Sequence, residues 1–384
     1  MKRKNPKKSY LPRKLPIFML VAALIFIFGA VTAFAEDEET EEITQKIDSG
    51  IRAGTDEDAA GFLDEHGISV SDPEGVSSLS PSEIFASVWQ KMIDGLFSSR
   101  ILLGKLMAIC ILCTVAESLF TDRRGLATVG NTAVLLIITA VYDSLSACIV
   151  LCRSTLSALT TFMLSYLPIC SSVSAASGNA AAGASFYTST IFLCEVIAFV
   201  TSKLLAPAVS VLVALTIAGS AEGTLELGSA AAAFKRLTTV LLSAFMCIFT
   251  GYMAVSGSVT SASDTMRARG IRFAASSFIP VIGGAVSESY GTVKQSLSVI
   301  RTSVGAVGII IIAATVLPPL IHIAVIKLTI SIAKLMFDMF GQKNGSRLLE
   351  GLGSVLSVIL SIMICFSLMF ITATGCMLAF SSGS

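Results

Sequence analysis

From residue 101 to the C-terminus the chain is a succession of apolar segments. Each is close to the roughly 20 residues that an α-helix needs to cross about 30 Å of hydrocarbon. They fall at 101–120, 126–150, 154–176, 186–218, 237–257, 302–323 and 352–380. A shorter run at 324–340 carries Lys327 and Lys334 one heptad apart, and it suits an interfacial helix or the continuation of a kinked span. In hydrocarbon every backbone N–H and C=O must be satisfied within the protein, so segments of this length and composition form helices. The expected fold class is therefore all-α: a polytopic α-helical integral membrane protein of about seven or eight helices occupying residues 99–384. Composition agrees. Hydrophobic residues make up 54% of the chain and charged residues only 14%, where a soluble domain carries roughly a quarter.

The N-terminus is patterned differently. Lys2, Arg3, Lys4, Lys7, Lys8, Arg13 and Lys14 precede the apolar run 17–34, which ends in Ala33-Phe34-Ala35. A basic flank, an apolar core and an A-x-A site predict a cleavable secretory signal peptide over 1–35; an uncleaved first anchor is the alternative. Either one exports the acidic stretch that follows, so residues 36–98 are expected on the extracytoplasmic side. Residues 36–79 read as a polar, flexible stretch with one short helix near 59–66. Ser80-Pro81-Ser82-Glu83 then starts a helix, with Ser80 as cap, Pro81 in the first turn and Glu83 completing a capping box. The resulting amphipathic helix 81–97 presents Trp89, the only tryptophan, as a candidate contact with a partner or the membrane interface. Packing on the protein's own bundle would explain the same face.

Arg123-Arg124 marks the first short loop as cytoplasmic. Beyond it the orientation depends on whether 186–218, interrupted by Pro207, crosses once or twice; the distribution of basic residues favours one crossing.

Several chemistries are excluded by what the sequence lacks. All nine cysteines lie in or beside apolar segments, and none falls in 36–98, where an oxidising compartment would allow disulfides. Cys110 and Cys113 form a C-x-x-C, but without neighbouring histidines they read as two small apolar residues of a membrane helix. No metal or cofactor is expected. Nucleotide-binding, zinc-protease and nucleophile-elbow motifs are missing, so no catalytic residues are assigned and no enzyme activity is expected. The clustered arginines sit between apolar spans, which argues against nucleic-acid binding.

The candidate functional residues are charges in the apolar segments. Glu195 and Lys203 share one segment and Asp143 lies in another. Such groups are costly in lipid and tend to face a bundle interior or water. Each suits either a conduit lining or a structural interhelical contact, the structural use being the commoner one. A second candidate is the irregular stretch 256–308. There the basic flank Arg267, Arg269 and Arg272 leads into an apolar run broken at Pro280 and at Gly283-Gly284. It reads as a re-entrant or interfacial hairpin and a candidate gate, because freed backbone groups at membrane depth need protein or water.

This same stretch carries a family resemblance. Arg272-Phe273-Ala274, Ser277 to Gly284, Ser287, Val304-Gly305 and Gly308 resemble the stage III sporulation protein AE family of endospore-forming bacteria. So do Phe234-Lys235-Arg236 and the run 255–263, and the plan of signal peptide, exported segment and many spans is similar to that family over nearly the whole chain. The resemblance implies a protein of the mother-cell membrane around the forespore. It would work during engulfment in a channel-like, secretion-like complex that supports forespore development. The implied partners are other stage III sporulation membrane proteins, a cytoplasmic secretion-type ATPase and ring-forming proteins. An export-gate or pore-type role fits a chain with many spans and no motor motif. An autonomous secondary transporter and a non-conducting membrane scaffold are the rival functions.

Overall fold

The computed structural model describes residues 41–65, 67–69, 99–120, 123–176, 180–200, 235–255 and 283–379, with scattered positions between them. The signal-peptide region 1–35, Trp89, the arginines at 267, 269 and 272, and Pro280 lie outside the described residues. Eight helices follow one another in the described parts: α1 (Glu41–Ala53), α2 (Glu57–Glu65), α3 (Arg100–Leu119), α4 (Arg123–Ala176), α5 (Ala180–Phe199), α6 (Lys235–Val255), α7 (Gly283–Met339) and α8 (Lys343–Ala379). Five of them are long and apolar enough to cross a membrane, and α5 is a shorter apolar helix.

One expected boundary is absent. The segments 126–150 and 154–176 join in one helix, α4, of 54 residues. The intervening Arg153 is a good helix former, turned outward, and no proline interrupts the helix before Pro168. The run 324–340 continues 302–323 in one helix, α7, the second of the two alternatives for it, and the helix runs on through Pro318 and Pro319. Prolines are tolerated in long apolar helices where neighbours satisfy the freed carbonyls.

The α7–α8 hairpin forms the centre of the bundle. Ile311, Ile312, Ile323, Leu356, Phe366 and Phe370 are fully buried. Its turn is set by Gly341, at φ +77°, a conformation that costs a residue with a Cβ about 1–2 kcal/mol. The Gln342 amide donates to the Phe337 carbonyl at 2.9 Å, satisfying one of the last carbonyls of α7. Lys334 and Glu350 pair across the turn at 2.9 Å, and the Ser346 hydroxyl donates to Asp338. The exposed ion pair adds little, so the glycine geometry and the apolar seam define the hairpin.

Around this hairpin the outer helices occupy different heights. The α7–α8 turn lies at the beginning of α4, where Gly130 faces Asn344 and Ile137 approaches Gly345. Farther along, Tyr166 of α4 meets Val304 and Gly308 of α7, so α4 and α7 run antiparallel. The α3 helix covers the first part of α4, with Cys113 against Val129 and Ala133. The last part of α4 is covered by α5, where Gly183 sits on Ser171 and Ser174. The described part of α6 lies on α8, through the edge-on ring pair Phe245–Phe366 and the contact of Cys365 with the Leu242 carbonyl.

Residues 41–69 of the polar stretch hold two helices: α2 falls where one short helix was expected near 59–66, and α1 lies where a flexible stretch was expected. In it α1 and α2 form a small hairpin docked on the bundle, α1 against α4 and α2 against α7. Ile51, Ala59, Leu63 and Ile68 are buried at 0–1% exposure, and each of the large side chains contributes about 1.5–3 kcal/mol of apolar burial. Gly67 at φ +63° closes α2, with the Ile68 amide donating to the Leu63 carbonyl at 2.9 Å. Arg52 ties the hairpin together: it pairs with Asp48 at 2.7 Å and with Asp64, and it donates to the Ile68 carbonyl at 3.1 Å. Partial burial pulls the Arg52 guanidinium down, but the bonds to Asp64 and Asp48 outweigh it and raise its pKa overall.

Candidate functional site in the bundle

The outward side of α4 carries large apolar side chains, Leu135, Tyr142, Val150 and Leu164 among them, interleaved with polar ones. On α3 the exposed positions include Ile101, Ile111, Leu112 and Val115, and on α6 they include Leu237, Val240, Leu241 and Ile248. Large apolar side chains of this kind suit contact with lipid. Along α4 the large side chains Phe162, Met163, Tyr166 and Leu167 point inward. The exposed positions Thr139, Asp143, Arg153, Ser157, Thr161 and Ser172 recur at helical spacing. Several hydroxyls on this helix return to their own backbone: Thr139 donates to the Leu136 carbonyl at 2.8 Å and Ser172 to Ile169 at 2.8 Å. Such bonds let a hydroxyl face hydrocarbon at little cost. The charges of Asp143 and Arg153 have no comparable remedy.

The sequence-derived candidates therefore separate. Asp143, Glu195 and Lys203 all lie on the exposed surface of the chain, where either a bundle interior or water was expected around them. Counting from the contact of Gly183 with α4, Glu195 stands level with about residue 161, roughly 27 Å along the axis from Asp143. Glu195 lies on α5 and Lys203 beyond its end, both exposed. Gly283 and Gly284 are the first residues of α7, so the expected glycine break coincides with a helix start.

One feature was not picked out from sequence as a site. Arg301 heads an apolar run in the sequence, yet in the fold it is 1% exposed and the largest of the fully buried side chains. Its guanidinium is within electrostatic reach of the Cys170 thiol on α4. One turn away the Tyr166 hydroxyl donates to the Val304 carbonyl at 2.9 Å, and its ring stacks on Phe162 with centroids 5.2 Å apart. A Cβ on Gly308 would collide with the Tyr166 ring and hydroxyl, so glycine is what allows α4 and α7 to approach. The sequence signal was present as a tyrosine opposite small residues, but pairing them requires knowing that α4 and α7 cross here. Cys110 joins the main core and Cys113 the smaller α3–α4 contact, both as buried apolar groups.

Five helices long and apolar enough to cross a membrane are compatible with a multi-pass membrane protein of the all-α class. The family model described as "Stage III sporulation protein AE (spore_III_AE)" matches residues 69–381, and the chain belongs to that family. It is similar to "Stage III sporulation protein AE" of Bacillus subtilis (strain 168), 24% identical over 254 residues. The alignment covers 65% of this chain and 63% of that protein, so the chain spans less than two thirds of this relative's length. No solved structure matches.

Proposed function

We propose that the protein is a non-enzymatic, membrane-embedded component of the channel complex between mother cell and forespore, with an export-gate or pore-type role in sporulation. Membership of the stage III sporulation protein AE family carries this proposal. The complex would also contain other stage III sporulation membrane proteins, a cytoplasmic secretion-type ATPase and ring-forming proteins. Its place would be the mother-cell membrane around the forespore.

The arrangement of the ends supports an oriented, gate-like part. Arg123 and Arg124 open α4, and the turn carrying Lys343 and Arg347 lies at the same end of the bundle. Basic residues collect on the cytoplasmic side of membrane proteins. The α1–α2 hairpin sits far along α4, where Gly50 meets Ile169 and Gly54 meets Ser165, roughly 60 Å from Arg124. This suits an exported hairpin facing the intermembrane space, where ring-forming partners would meet it.

Reconstitution tests the role. The purified chain alone in liposomes is expected to be silent for solute flux, and secretion-type ATPase and ring proteins are expected to co-purify with it from sporulating cells. Substrate flux without partners would overturn the assembly role in favour of an autonomous transporter.

A further inference from the structure

We infer that the groove between α3 and α4 holds an anionic phospholipid, with an acyl chain in the groove and the phosphate among the basic residues at that end of the bundle. The inference rests on the membrane-embedded part of the proposed function and does not need the channel role.

The groove follows from the residues that line it. Its floor is Cys113 and Val129, both buried, where α3 meets α4. Ala116 leaves space that a larger side chain would fill, and Leu112 and Phe120 stand along the rim, 61% and 50% exposed. Gly125 lets Phe120 settle against the first turn of α4, because a Cβ there would collide with the ring. From Leu112 to Phe120 the rim runs about 12 Å along α3.

Shape and lining select hydrocarbon for the buried part of the occupant. The space is about 230 Å³ and is open on one side. This is below the roughly 300–1,000 Å³ of sites that enclose a small molecule, and a narrow open trough suits an extended chain. The walls are chiefly apolar, and the Thr132 hydroxyl already donates to the Thr128 carbonyl at 2.9 Å. A polar occupant would lose its hydration here and find little to bond.

Charge selects the head group. Through Phe120 and Gly125 the groove reaches the α3–α4 turn, where Arg123 and Arg124 are the first two residues of α4 and its first turn holds no acid. At the same end Lys343 and Arg347 are exposed, and neither belongs to an ion pair among the described residues. The acids there are Glu117, Asp122, Asp338 and Glu350; Glu350 is taken by Lys334, and Asp338 accepts from the Ser346 hydroxyl. With Lys334 included, bases outnumber acids at this end. Guanidinium groups recognise phosphate through paired hydrogen bonds, and basic pockets between membrane helices take lipid head groups. A phospholipid carries its phosphate at the interface, beside the start of its chains. The bases and the groove stand in that same relation, at the end of a helix of membrane length.

Lipid titration of the isolated full-length protein tests the site. After delipidation in mild detergent, phosphatidylglycerol or phosphatidylcholine with identical chains is added, and bound lipid is followed by native mass spectrometry. The wild type should take up phosphatidylglycerol at concentrations about tenfold below those needed for phosphatidylcholine. Ala116→Phe fills the groove and should weaken phosphatidylglycerol binding about tenfold. Where that variant does not accumulate, Thr132→Trp, at an exposed position on the opposite wall, supplies the same obstruction. Replacing both Arg123 and Arg124 by Gln should remove the preference for phosphatidylglycerol and leave phosphatidylcholine binding unchanged. Equal binding of the two lipids by the wild type, or unchanged phosphatidylglycerol binding with the groove filled, would overturn the inference. So would competition by glycerol phosphate, the head group without chains, which would mark a surface anion site. Because only the isolated protein is used, a negative result leaves the channel role standing.

Discussion

Tyr166, Gly308 and Arg301 meet where α4 crosses α7, and each tolerates change differently. Gly308 has no space for a Cβ beneath Tyr166. Gly308→Leu should therefore force the helices apart and lower stability by about 1–3 kcal/mol, read as a fall in thermal midpoint of the detergent-solubilised protein. Tyr166→Phe removes only the bond to the Val304 carbonyl and should cost about 1 kcal/mol. If the leucine variant melts like the wild type, this crossing is not the close contact described. Sequence alone presented Tyr166 as unrelated to Arg301 and Gly308, which lie more than a hundred residues further on. Their meeting depends on the antiparallel course of two helices that each outrun a single span.

At the scale of elements, the α1–α2 hairpin departs most from its sequence. Its acidic, glycine-containing composition suggested a flexible tail, because only a few apolar residues are spread over it. Ile51, Leu63 and Ile68 become a coherent face once Gly67 turns the chain after α2 and Arg52 bridges to Asp64. Leu63→Asp places a charge in that seam and should release the hairpin while leaving the bundle intact. Limited proteolysis should then cut between residues 41 and 68 in the variant and spare the wild type. Equal resistance would show that these helices are held by something other than the apolar seam. Helix identity was legible in the described apolar segments from residue 101 onward, and the continuation at residue 324 was one of two readings, whereas the join at Arg153 was not legible. A lone charge reads as a break in sequence, and only neighbouring helices decide otherwise.

For the whole molecule, the two ends of the bundle carry the testable asymmetry. The α3–α4 and α7–α8 turns share the basic end, and the α4–α5 turn lies toward the end where the α1–α2 hairpin docks. A cysteine in place of the exposed Lys343 should be shielded from a membrane-impermeant maleimide in intact cells, and one at position 180 should react. Labelling of both from outside would contradict this orientation. Membership of the family was legible from the stretch around Pro280 and Gly283-Gly284. The outward placement of Asp143, Glu195 and Lys203 was not, because helical periodicity gives relative faces and cannot say which face the rest of the chain covers.

The sporulation role is the claim on which the rest depends, and deleting the gene in its own host tests it most directly. Cells without the protein should complete engulfment and then fail to yield heat-resistant spores, with the wild-type gene restoring them. Normal numbers of heat-resistant spores from the deletion strain would contradict the role.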